Sequence, residues 1–71
     1  MESYERLAQL RKEHGYTVEA IAEVLECSPI SVRRWESGST KMKFRKYIVL
    51  AKLYGVSLDY IAGLTDVAES Q

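Results

Sequence analysis

Residues 17–38, TVEAIAEVLECSPISVRRWESG, decide the fold of this 71-residue chain. Within them Ile21, Ala22 and Leu25 share one side of a helix that Thr17 caps and that runs over roughly 18–25. A second helix opens at Ser28-Pro29: the serine can satisfy a first-turn N–H, and proline fits where no N–H is needed. Gly38 closes that helix, and Val32 and Trp35 form its inward stripe. The segment reads as two short amphipathic helices joined by a tight turn and held by a shared apolar seam. One face of the second helix is left free.

Outward from that core, three more helices are expected. Ser3 is placed as the cap of a first helix that reaches about His14, carries Leu7 and Leu10 on one face, and stops at Gly15. After the loop SGSTKMK, a fourth helix is expected over 44–54, its stripe drawn through Phe44, Tyr47, Ile48, Ala51 and Tyr54. Gly55 stops it, Ser57 caps a short fifth helix, and Gly63 ends that one. No strand-like alternation, repeat or linker interrupts the pattern. The expected fold is all-α and compact, a single domain over 1–66 with a frayed tail over 67–71.

Composition narrows the function. No run of eighteen apolar residues exists, so no membrane span is expected, and the charged N-terminus MESYERLAQLRKEH has no apolar leader stretch. One cysteine, Cys27, excludes an internal disulfide and fits a reducing cytoplasm, where a buried inert thiol is the simplest role. With one cysteine and one histidine, no metal site is expected, and no cofactor or small-molecule ligand is implied. No Gly-rich phosphate loop or nucleophile–base pair suggests an enzyme; His14 suits the C-terminus of its helix. The net charge is zero, but residues 1–32 sum to −3, residues 33–52 to +6 and residues 53–71 to −3. That basic block follows the second helix of the opening segment directly, where a phosphate footprint would lie.

RLAQLRKEHG at 6–15, IAEVL at 21–25, SVRRWESG at 31–38 and LAKLYGVSLDYIAGLTD at 50–66 together resemble the lambda-repressor-like, Cro-type (XRE) helix-turn-helix family. The resemblance covers about residues 6–66 and implies a five-helix DNA-binding domain with the helix-turn-helix at helices 2 and 3. It implies that Arg11 and Glu36 form a partly buried structural ion pair. It also implies that the loop after helix 3 lies along a sugar-phosphate backbone. Two residues depart from the family pattern: Val18 stands where glutamine is common, and Glu26 where the turn glycine is usual. A positive φ at Glu26 would cost on the order of 1 kcal/mol.

At about 100° per residue, Ile30 and Arg34 fall within roughly 20° of the direction opposite Val32. Pro29, Ile30, Ser31 and Arg34 are therefore the expected base contacts, Arg34 being able to donate bidentately to guanine O6 and N7. Thr17, Val18, Arg33, Ser37, Lys41, Lys43 and Arg45 are the expected phosphate contacts, which need charge and reach more than geometry. The function expected is sequence-specific binding of double-stranded DNA by a homodimeric transcriptional repressor in the cytoplasm. Tyr60, Leu64 and Val67 are the dimer candidates. The alternative is a protein-interaction module of antitoxin or anti-repressor type, suggested by apolar residues at positions 18, 29 and 30.

Overall fold

A computed structural model describes residues 1–68 of the chain. It contains α1 (Ser3–Glu13), α2 (Val18–Val24), α3 (Pro29–Ser37), α4 (Phe44–Tyr54) and α5 (Leu58–Ile61). No strand occurs among the described residues. Leu7 and Leu10 of α1, Ile21 and Ala22 of α2, Val32 of α3, Leu50, Ala51 and Tyr54 of α4 and Ile61 of α5 converge on one core with Leu25 and Met42. Ala22 is only 2% exposed. Its small side chain lets α2 and α3 approach closely enough to share the Ile21–Val32 seam.

The starts and stops follow local chemistry. Thr17 Oγ1 accepts the Ala20 N–H at 3.0 Å, and Ser57 Oγ accepts that of Tyr60 at 3.1 Å. The first helix differs from expectation. Glu2, not Ser3, is its cap, and the Glu2 N–H donates to Glu5 Oε1 at 2.9 Å in a capping box that serine at the next position cannot form. At α3 the Ser28 hydroxyl makes no cap bond and meets Ser31 Oγ instead, at 3.2 Å. Pro29 needs no donor satisfied there, which removes part of the demand for a cap.

The turn between α2 and α3 is a Schellman motif. Cys27 N–H reaches Ala22 O at 2.9 Å and Glu26 N–H reaches Glu23 O at 3.2 Å, with Glu26 left-handed at φ 57°. It is the one non-glycine among the described residues with positive φ. Lys46 Nζ donates to Leu25 O at 3.0 Å and ties α4 to this same turn. Gly63 has a different constraint: a Cβ there would collide with the Met1 carbonyl, so the N-terminal backbone lies directly on the end of α5.

One expectation is corrected. Phe44 is 66% exposed and belongs to no buried stripe; the inward face of α4 is Tyr47, Leu50, Ala51 and Tyr54, so Tyr47, Ala51 and Tyr54 of the expected stripe hold while Leu50 takes the place given to Phe44 and Ile48. Between Leu64 and Ala68 the chain bonds back to the rest of the domain at two points. Arg6 Nη2 donates to Asp66 Oδ1 at 3.2 Å, and Ser57 N–H donates to Ala68 O at 3.1 Å. Residues 69–71 of the expected tail lie outside the described residues. Cys27 is half-buried against the core.

Two outcomes test this packing. Glu26→Gly removes the left-handed strain and should raise stability by about 1 kcal/mol, a rise in Tm of about 4–8 °C by thermal unfolding. Burial, aided by the Glu36 charge, pushes the Tyr54 phenol up to about 12 from 10.0. The folded state therefore keeps this proton longer than the unfolded chain. Its contribution to stability is complete below pH 10 and is lost as pH rises toward 12. Melting measured across that window should fall less steeply for Tyr54→Phe than for the parent chain.

Candidate nucleic-acid interface

The sequence of α3 divides it into two edges. Val32 is buried, and Trp35 and Glu36 are half-buried on the inner side. Ile30, 53% exposed, and Arg34, also exposed, stand on the outer side, one turn apart. Arg34 makes no ion pair among the described residues, so its five donors face solvent. Pro29 and Ser31 are half-buried beside them. The Ser37 hydroxyl donates to the Arg34 carbonyl at 3.0 Å and lies 2.8 Å from Ser39 Oγ, which fastens the end of the helix rather than projecting from it.

What holds this edge in place is the pair Arg11–Glu36. Arg11 Nε and Nη2 reach Glu36 Oε2 and Oε1 at 2.7 and 3.0 Å, and Nη1 donates to Tyr16 O at 3.0 Å. Both side chains are only 13–14% exposed. The guanidinium thus joins α1, the loop before α2 and the end of α3 at one point. Across the same α1–α3 contact, the Tyr4 ring lies where a Cβ on Gly38 would approach to 3.1 Å.

The loop after α3 presents its cations by a simple device. Met42, 6% exposed, enters the core and pins the loop, while Lys41 and Lys43 on either side of it remain at the surface. Lys43 is then the cap residue of α4, Arg45 follows in the first turn, and no acid is present there. Cations at the positive end of a helix macrodipole are placed unfavourably. A phosphate brought to that spot would relieve the repulsion. Lys41, Lys43 and Arg45 are exposed and form no ion pair among the described residues.

Not every expected phosphate contact is free. Arg33 Nη2 is held by Glu19 Oε2 of α2 at 2.8 Å. Val18 packs against the core and offers no polar side-chain group. Thr17 spends its acceptor on Ala20 N–H, which leaves its hydroxyl proton available. Tyr60, a dimer candidate, lies half-buried with the Arg6 guanidinium carbon 3.7 Å from its ring centre, whereas Leu64 and Val67 are 78% and 57% exposed.

Three residues were missed by sequence reasoning. Arg6 is 2% exposed, packed on Tyr60 and bonded to Asp66 and to Met1 Sδ, because the N-terminus and the tail close over it. Nothing in its local sequence separates it from the exposed charges of α1. Lys46 is diverted to a backbone carbonyl of the turn. Met42 could have been noticed as the lone large apolar residue of a polar loop. Among the described residues, no group of three His, Cys, Asp or Glu side chains could hold a metal, and no helix is long and apolar enough to cross a membrane.

The helix-turn-helix family model matches residues 7–61. A Bacillus subtilis (strain 168) protein, the uncharacterized HTH-type transcriptional regulator YobD, is 47% identical over 62 residues, which is 87% of this chain and 55% of that protein. A transcriptional regulator from Listeria innocua has a similar structure, with a TM-score of 0.85 and 36% identity over 90% of this chain and 60% of the other. The P22 c2 repressor, solved with a synthetic operator, superposes with a TM-score of 0.81 at 22% identity, covering 92% of this chain and 98% of its own; that likeness concerns the fold alone. This chain therefore spans about half the length of the curated relative it matches.

The ion pair sets a stability test. Glu36→Ala strands the Arg11 charge at a nearly closed site and should cost about 3 kcal/mol in urea unfolding. Arg11→Met combined with Glu36→Leu should be more stable than either single variant, because neither charge is then left alone.

Proposed function

This chain belongs to the helix-turn-helix family of lambda-repressor-like (XRE) type, and we propose that it binds double-stranded DNA sequence-specifically with α3 in the major groove. The observation that carries this reading is the contrast between the two sides of α3. Its inner side is committed to the core and the Arg11–Glu36 pair, while Arg34 and the loop cations Lys41, Lys43 and Arg45 stand exposed without ionic partners among the described residues. Arg34 is assigned to guanine recognition, Ile30 to a thymine methyl, and Pro29 and Ser31 to flanking base contacts. Lys41, Lys43 and Arg45, with Thr17 and the backbone at Val18, are assigned to phosphates; Ser37 serves only when its hydroxyl turns from the Arg34 carbonyl, and Arg33 only when released from Glu19.

The assembly proposed is a homodimer acting as a transcriptional repressor in the cytoplasm. A single module buries too little surface for tight operator binding, and two copies on half-sites about 34–36 Å apart would supply it. No catalytic step is part of this reading.

Selection from random duplexes should recover an inverted repeat containing guanine in each half-site. Arg34→Ala should cost about 1–3 kcal/mol on that site and relax the preference at the guanine position. Lys43→Ala should weaken binding to all sequences alike. With about four phosphates neutralised per subunit, log K should fall with log salt at a slope near −3.6, and Lys43→Ala should lower its magnitude by about 0.9. A folded chain that binds no duplex at low salt would overturn the reading and leave the fold to serve a protein partner.

A further inference from the structure

Seven cations occupy residues 33–52, yet they are not equivalent. Arg33 has an acidic partner facing it, Glu19, in the first turn of α2. The carboxylate and guanidinium are 62% and 57% exposed, on the surface where α2 and α3 meet and beside Arg34. A hydrogen bond from its own backbone N–H, then the bond from Arg33, holds the Glu19 carboxyl below its ordinary value, so it is charged at neutral pH.

This pair has little to do for the fold. The α2–α3 seam is already closed by Ile21, Ala22, Leu25 and Val32, all buried. An exposed ion pair adds almost nothing to such a seam. Its effect is on what can approach from outside. Arg33 and Glu19 together sum to zero charge, so the pair offers an approaching phosphate less net attraction than a free arginine would.

We infer that Glu19 is a brake on DNA affinity: it neutralises Arg33 at the edge of the interface, so that one phosphate contact is withheld. The inference rests on the DNA-binding reading given above. Because phosphates carry no base information, the brake acts on every sequence and keeps non-specific binding low. The base-directed edge at Ile30 and Arg34 is untouched by it.

The test is fluorescence anisotropy on a mixed-sequence duplex from about 50 to 200 mM salt with the parent chain, E19Q, R33Q and the double variant. E19Q should bind roughly three- to tenfold tighter at the lowest salt and steepen the salt slope by about 0.9, one added phosphate. In the R33Q background the same change should give less than half of that gain. Melting temperatures of all four proteins should stay close together, which separates the effect from a change in folding. Parent-like affinity and slope for E19Q, or an equal gain without Arg33, would overturn the brake while leaving DNA binding intact. If none of the folded proteins binds the duplex at low salt, the DNA-binding reading fails and takes the brake with it.

Discussion

The bidentate contact between Arg11 and Glu36 is the constraint on which the geometry of this domain depends. Helices of seven to eleven residues are too short to be stable alone, so their angles are set by what they pack against. The apolar seam brings α2 and α3 together but is non-directional. The guanidinium supplies the direction: two donors on one carboxylate and a third on the Tyr16 carbonyl fix α1, the entry to α2 and the exit of α3 at once. A rotation of α3 about its own axis would break two of these bonds. The outward edge at Ile30 and Arg34 is consequently aimed by a residue that itself faces inward.

Much of this was legible because it is local. Periodicity, Thr17, Ser57, Pro29 and the glycines mark the helices by rules that operate within a turn or two. Even the strained Glu26 could be anticipated, since the turn between two packed helices needs a left-handed residue whatever side chain the chain supplies. The failures are long-range. Arg6 and Asp66 are sixty residues apart, and only the closure of the N-terminus over α5 turns an ordinary surface arginine into a buried one. The stripe of α4 went wrong at Phe44 for a related reason: Phe44 is as apolar as Leu50, and periodicity cannot say that the first turn projects past the edge of the core.

The candidate site was legible as a set of positions and not as a set of free groups. The wheel separates Arg34 from Val32, but it cannot see that Glu19 reaches Arg33 across the helix pair or that Lys46 is drawn to the Leu25 carbonyl. Counting the basic block as +6 overstates what a phosphate backbone would meet, since one cation there is neutralised and another is bonded to backbone. The effective surface is smaller and more sharply placed. Arg34 lies on α3, and Lys41, Lys43 and Arg45 lie on a loop pinned by Met42 and at the start of α4.

That placement bears on how the proposed recognition would divide its labour. The loop cations sit where the α4 macrodipole already disfavours positive charge, so an approaching phosphate gains from both the side chains and the helix. Such gain is blind to sequence. Base reading would rest on Ile30 and Arg34, one apolar and one cationic group on a single turn, with no amide side chain beside them to read adenine. Phosphate contacts strengthen wrong and right sites alike, so they set the overall affinity while the ratio between sites rests on this edge alone. A carboxylate held against Arg33 would lower that shared affinity without any change to the side chains that face the bases.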